Sequence, residues 1–143
     1  MEKDCIAEIH ALHVFFVDWL SGTLANTAQV FTRCAGALAE DFVLIGPHGQ
    51  ATGRKVLLGQ LEGAHGAHAN SDPAFAIRIE NPRLVHQWPD QALLTYEEWQ
   101  DGASGTKGTT GRISTVLFIR EPSAPTGIAW RHLHETWIDG PRA

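Results

Sequence analysis

Apolar residues at the start of the chain recur at helical spacing. Ile6, Ile9, Leu12, His13, Phe16, Val17 and Leu20 fall on one face, which predicts an amphipathic helix over Asp4–Leu20. Asp4 suits its N-cap, and Ser21-Gly22 its end. A second helix is expected from Thr23 or Asn26 to Ala39, with Val30, Phe31, Cys34 and Leu38 as its buried stripe. The apolar run Asp41–Ile45 predicts a strand, broken by Gly46-Pro47-His48-Gly49. A third helix, Arg54 to about Gly63, follows Gly53 and buries Val56, Leu57, Leu58 and Leu61. His65 and His68 then fall in a Gly- and Ala-rich stretch that predicts a loop.

From Pro73 the period of the pattern changes to two. Phe75–Glu80 and Arg83–Trp88, bent at Asn81-Pro82, alternate as strands, as do Gln91–Gln100, Arg112–Arg120 and Ile128–Ile138. The Gly- and Thr-rich segment Asp101–Gly111 predicts a loop, and Gly140-Pro141 a closing turn. Short connections make consecutive strands antiparallel, and helices grouped ahead of them predict an α+β domain with helices on one face of a curved sheet. In the last strand Trp130, His132, His134, Thr136 and Ile138 share one face, and Arg131, Leu133, Glu135 and Trp137 the other. In Gln91–Gln100, Leu93, Thr95, Glu97 and Trp99 oppose Leu94, Tyr96, Glu98 and Gln100. An indole and two imidazoles in a row are costly in a core without partners, so that row predicts the wall of a cavity holding something polar.

Composition narrows the class. The chain has 143 residues, 43% hydrophobic and 19% charged, as expected of a single globular domain over 1–143. A formal charge of −5 leaves no broad basic field for nucleic acid or an anionic membrane. Cys5 and Cys34 make no disulfide framework and are expected as reduced thiols. Met1-Glu2-Lys3-Asp4 lacks the order of a signal peptide, and no apolar run reaches spanning length, so a cytoplasmic protein is expected.

Three pieces of this order carry a family resemblance: Asp41-Phe42-Val43-Leu44-Ile45-Gly46-Pro47-His48-Gly49 after two helices, Gly53-Arg54-Lys55-Val56-Leu57-Leu58 opening the third, and Trp130-Arg131-His132-Leu133-His134. The chain resembles the nuclear transport factor 2-like superfamily, with its SnoaL-like and ketosteroid-isomerase-like members. The third piece is similar to the Trp-x-x-x-His ending of the calcium/calmodulin-dependent kinase II association domain. The resemblance implies a cone-shaped barrel, three N-terminal helices packed on a strongly curved antiparallel sheet, with a pocket at the wide end and commonly a homodimer. It implies no single activity.

The resemblance also implies which faces turn inward: Trp130, His132, His134 and Thr136 in the last strand, and Glu97 beside Trp99. Arg112, at the start of the strand between, would then reach the cavity mouth. On that placement Glu97 and His134 are the candidate catalytic pair, a carboxylate orienting an imidazole or acting as base. Arg112, Trp130, His132 and Trp99 are the candidate ligand contacts, Arg112 as a clamp on an anion or carbonyl and the indoles as apolar walls. The function expected is binding of a small organic molecule, or cofactor-free lyase or isomerase chemistry by acid–base catalysis. Tyrosine-assisted oxyanion chemistry is disfavoured, because Tyr96 sits on the face taken as outer. One alternative is a non-catalytic dimerisation or binding module with a structural Glu97–His134–Arg112 network, dimerising through Leu133, Trp137, Val116 and Phe118 on the outer face. Another is a metal held by His132 and His134, with His48, His65, His68 or His86 as third ligand; Glu135 directly after His134 breaks the cupin spacing.

Overall fold

A computed structural model describes residues 1–103 and 108–140. Residues 104–107, within the loop expected over Asp101–Gly111, and Pro141 of the expected closing turn lie outside the described residues. Helix α1 (Glu2–Leu20) buries Ile9, Leu12 and His13 of the expected face, but its most buried stripe is turned toward Cys5, Glu8, Phe15 and Trp19, and Ile6, Phe16, Val17 and Leu20 are half-buried at its edge. Helix α2 (Ala28–Ala35) is capped by Thr27, whose hydroxyl accepts from Val30 N–H at 3.2 Å. It stops short of the expected Ala39, because the residues after Gly36 are claimed by the sheet. Ala37 C=O accepts from Trp130 N–H at 2.8 Å, and Leu38 pairs with Trp130. A Cβ at Gly36 would come within 3.0 Å of Thr32 C=O and 3.2 Å of the Pro125 ring, so the turn is packed closely there.

Strands β1 (Leu38–Ile45) and β2 (Ala51–Gly53) precede helix α3 (Arg54–Gly63). Strands β3 (Ala76–Gln87), β4 (Gln91–Asp101), β5 (Thr110–Arg120) and β6 (Ile128–Asp139) follow. They form one sheet in the order β2-β1-β6-β5-β4-β3. The four long strands are antiparallel, but β1 lies parallel to β6, so the sheet is mixed rather than antiparallel throughout. The architecture is the expected α+β one, helices on one face of a curved, open sheet. β3 is one strand and not two: the bend at Asn81, with φ 53°, is an irregularity within its pairing to β4.

The last strand contains the irregularity that matters most. Phe118 pairs with Trp130, yet the next residue back, Leu117, pairs with His132. Arg131 is therefore an extra residue, a β-bulge, and beyond it the side-chain alternation is inverted. Trp130 faces the helices, and after the bulge so do Leu133, Glu135 and Trp137. Reading across β4, β5, β6 and β1, the inner face consists of rows. Ala92, Phe118, Trp130 and Leu38 form one, and Leu94, Val116, Leu133 and Leu44 the next. Tyr96, Ser114 and Glu135 form the third, and Glu98, Arg112 and Trp137 the fourth. The face is thus apolar at one end and polar at the other. Val116 and Phe118, expected outside, are fully buried core residues.

A buried carboxylate ties the helices to this face. Glu8, 1% exposed, accepts from both terminal nitrogens of Arg33 on α2 and from Trp130 Nε1 at 3.2 Å. Glu8→Ala leaves the indole N–H without an acceptor and Arg33 without its partner. We expect a loss of about 3 kcal/mol, tempered because Arg33 reaches solvent. Urea unfolding measures it, and a loss below about 1 kcal/mol would contradict the role given to Glu8.

Candidate functional site

Between α1, α3 and the inner face lies a cavity of about 230 Å³. Leu12, Phe16 and Leu20 of α1, Leu57 and Leu61 of α3, and Phe42, Leu44, Trp130 and Leu133 of the sheet make most of its wall. The polar lining is gathered at one end: His13, Glu98, Gln100, Arg112 and Glu135. His68 completes the wall from the loop before β3, its ring stacked on Phe75 at 4.4 Å between centroids. That loop is fastened to the end of α1, with Gly66 N–H donating to Trp19 C=O and His68 N–H to Leu20 C=O.

The polar end contains two linked ion pairs. His13 is 5% exposed, with Nδ1 2.7 Å from Ile9 C=O and Nε2 2.9 Å from Glu98 Oε1. Both ring nitrogens face acceptors, the environment of an imidazolium. Burial works against that charge, but the Glu98 carboxylate outweighs it and raises the His13 pKa. Burial would likewise raise Glu98. His13, by charge and hydrogen bond, with Arg112 and the Gln100 amide, instead holds it down to about 2. Glu135 has a weaker partner. Arg112 donates to it at 3.3 Å, a long contact, and Glu135 is 6% exposed. Burial first, and then the neighbouring Glu98 charge, push Glu135 up to about 7. Arg112 lies over the Trp137 ring, 4.8 Å from its centroid. Arg112 Nε and Trp137 Nε1 are buried without a hydrogen-bond partner among the described residues.

The sequence-derived candidates divide between the two faces. Arg112 and Trp130 line the cavity. Glu97, Trp99, His132 and His134 belong to the opposite face and do not. His134 is solvent-exposed, because the bulge at Arg131 turns it outward. Glu97 accepts from Asn81 Nδ2 at 2.8 Å and from Trp99 Nε1 at 3.1 Å, so its carboxylate braces the irregular part of β3. Thr136 is exposed, while Leu133 and Trp137, expected on the dimer face, are on the inner side. Tyr96 also faces inward, 1% exposed, but does not line the cavity. Arg112 pairs with Glu135, not Glu97. Among the described residues no three His, Cys, Asp or Glu side chains come together as a metal site, so His132 and His134 have no third ligand. Cys5 and Cys34 are free and buried, and burial pushes the thiols up to about 11 and about 12.

His13, Glu98, Gln100 and Glu135 were missed. A signal for His13 was present, a lone imidazole within the apolar face of α1, which demands a buried partner. Glu98 and Glu135 could be found only by knowing which way their strands turn.

Over residues 6–139 the chain matches the family described as sucrose-6-phosphate phosphohydrolase C-terminal. The chain belongs to this family. Sucrose-phosphatase 2 of Nicotiana tabacum is 19% identical over 136 residues, 95% of this chain but 31% of that protein. Sucrose-phosphatase 1 of the same plant matches over the same share. The chain thus spans about a third of the length of these relatives. Among solved structures, an NTF2-like protein of unknown function from Pseudomonas aeruginosa is 30% identical, with a TM-score of 0.79 over 94% of this chain and 98% of that one. A protein with a cystatin-like fold from Caulobacter vibrioides superposes with a TM-score of 0.68 at 14% identity, covering 96% of this chain and 89% of that one. The S. rosetta CaMKII hub gives a TM-score of 0.59 at 13% identity, covering 78% and 82%. The fold of this member of the C-terminal family is therefore the NTF2-like one.

Glu135 makes the stability of the domain depend on pH in an unusual direction. Its folded pKa, about 7, lies above the ordinary 4.5, so between these values the folded state holds more protons than the unfolded one. Its contribution accordingly falls as pH rises from about 4.5 to about 7. Glu98 has the opposite sign, adding stability above 4.5 that is lost as pH falls toward 2. Glu135→Gln removes only the first dependence. The stability of the variant relative to the parent should therefore increase from pH 5 to pH 8, as read by urea unfolding at each pH. A constant difference would contradict an elevated Glu135.

Proposed function

We propose that this domain binds a small, largely apolar organic molecule, its polar end directed at Arg112, Glu135 and Gln100. The observation that carries this is the zoning of the cavity: apolar side chains around most of about 230 Å³, and every ionisable wall residue except His68 at one end. That volume is below the roughly 300–1,000 Å³ of ordinary ligand pockets, so the ligand is small. The names of the plant relatives suggest a sugar, but the wall argues against a disaccharide. Its hydroxyls would face Leu12, Phe16, Leu57 and Leu133 without partners, at about 1–3 kcal/mol each. Cofactor-free lyase or isomerase chemistry, if the domain performs it, runs through Glu135 rather than His134. It is the wall residue whose carboxyl gains and loses a proton near neutrality.

A homodimer is the second part of the proposal, through the outer face of the sheet. Rows of Leu93, Leu117, His132 and Val43, and of Thr95, Thr115, His134 and Ile45, cross that face. Among the described residues no helix covers these rows, and at their margin Ile113 and Ile138 are 44% and 49% exposed. A sheet apolar on both faces ordinarily has both covered. The resemblance to a structure named as a hub supports assembly of copies.

Two measurements test these statements. At low millimolar concentration, too dilute for the general osmolyte effect of sugars, short-chain alcohols and ketones should raise the melting temperature and sucrose should not; stabilisation by sucrose but not by trehalose at that concentration would overturn the ligand class. Sedimentation equilibrium should show a dimer, and Ile113→Glu with Ile138→Lys a folded monomer. A parent protein monomeric at micromolar concentration would refute the interface.

A further inference from the structure

Resting on the cavity as a ligand site, we infer that its ligand ends in a carboxylate, and that Arg112 passes from Glu135 to this carboxylate as Glu135 takes up a proton.

The geometry of Arg112 is the first argument. Among the described residues lining the cavity it is the one arginine, and no lysine joins it. Its Nε is buried, so the part of the guanidinium that can meet a ligand is the terminal one, on a side chain that lines the cavity and is 16% exposed. There its contact with Glu135, through Nη1, is long at 3.3 Å, and the Trp137 ring 4.8 Å from its Cζ supports the group without taking a donor. A guanidinium so weakly held is one that a ligand carboxylate can engage with charge-assisted hydrogen bonds. His13 cannot take this role, because both its nitrogens are occupied by Ile9 C=O and Glu98.

The charge balance is the second argument. The groups that face Glu135 are Glu98 and Tyr96 from β4, Arg112 from β5 and His13 from α1, with His68 across the same cavity. The pair His13–Glu98 is internally neutral. With Glu135 ionised, Arg112 is neutralised too, and a ligand anion would find no net attraction. With Glu135 protonated, the floor carries one uncompensated positive charge, matched to one carboxylate. Glu135 is easily displaced from the ionised state, since Glu98 is its neighbour and burial already disfavours its charge. Two carboxylates competing for one buried guanidinium cannot both stay ionised at low cost. The proton comes from solvent, and no covalent bond changes.

Calorimetry with hexanoate and hexanol, probes of equal chain length that differ in the head group, tests this. Hexanoate should bind more tightly than hexanol at pH 6.5. Titrations at pH 8 in two buffers of different ionisation heat should show about one proton taken up, and at pH 6.5, where Glu135 already holds most of its proton, only a fraction of one. Hexanoate affinity should fall about tenfold per pH unit above about 7, and hexanol affinity should not change. Glu135→Gln, a neutral isostere, should keep hexanoate binding and make it independent of pH. Arg112→Met should bind the two probes equally. If hexanol binds and hexanoate binds no better, or hexanoate binds without proton uptake, the inference fails and the cavity stands as a neutral-ligand site. If neither binds, the cavity reading fails with it.

Discussion

The ion pair between His13 and Glu98 is the interaction on which the interior depends. It joins the middle of α1 to the polar end of the sheet over 2.9 Å, with both groups buried. Each partner is costly to bury without the other, so helix and sheet have one relative position in which neither is orphaned. Between one and two turns earlier on the same helix Glu8, held by Arg33 and Trp130, performs a similar service. These two anchors hold α1 over the sheet, and the space not filled by Leu12, Phe16 and Trp130 becomes the cavity. The hollow is therefore a consequence of where buried charge had to be paired.

The same pair determines the chemistry of its neighbours. Because Glu98 is held ionised by His13, its charge opposes ionisation of Glu135 nearby. Because Arg112 is shared electrostatically between the two carboxylates, neither holds it firmly. Burial is similar for Glu98 and Glu135, yet their pKa values move in opposite directions, to about 2 and about 7. The difference lies in which one owns a short, dedicated cation. Separation of two carboxyls in this way is the usual means by which a site keeps one charge fixed and leaves another free to change.

Much of the fold was legible in the sequence, and the facing of the site was not. The period of 3.6 over Ile6–Leu20 marks α1, the apolar run after Gly53 marks α3, although Val56, expected inside, is 58% exposed, and alternation marks every long strand. Alternation says which residues share a face but not which face is inside. In β4 and β5 both faces are apolar: Leu93 and Leu117 face out while Leu94 and Val116 face in. The usual contrast between polar and apolar sides is thus missing. In β6 the trouble is deeper. Trp130 faces inward, as alternation and the family resemblance imply, but one extra residue at Arg131 reverses everything after it, exchanging His134 for Glu135. A bulge leaves no mark in the hydrophobic pattern, since it is defined by the pairing of two strands rather than by either one.

The bulge also explains why family membership and fold say so little about the site. Similarity over the whole chain reports the path of helices and strands, and that path survives a shift of one residue in one strand. The lining does not survive it. Without the bulge the polar end would present His132 and His134 with Thr136, a set of neutral or cationic groups. With it, the cavity receives Leu133 and Glu135, extending the apolar rows and placing a second carboxylate beside Glu98. A single irregularity in pairing thus decides between a basic and an acid–base pocket on one and the same scaffold, and for that reason the chemistry of this domain has to be argued from the register of β5 against β6.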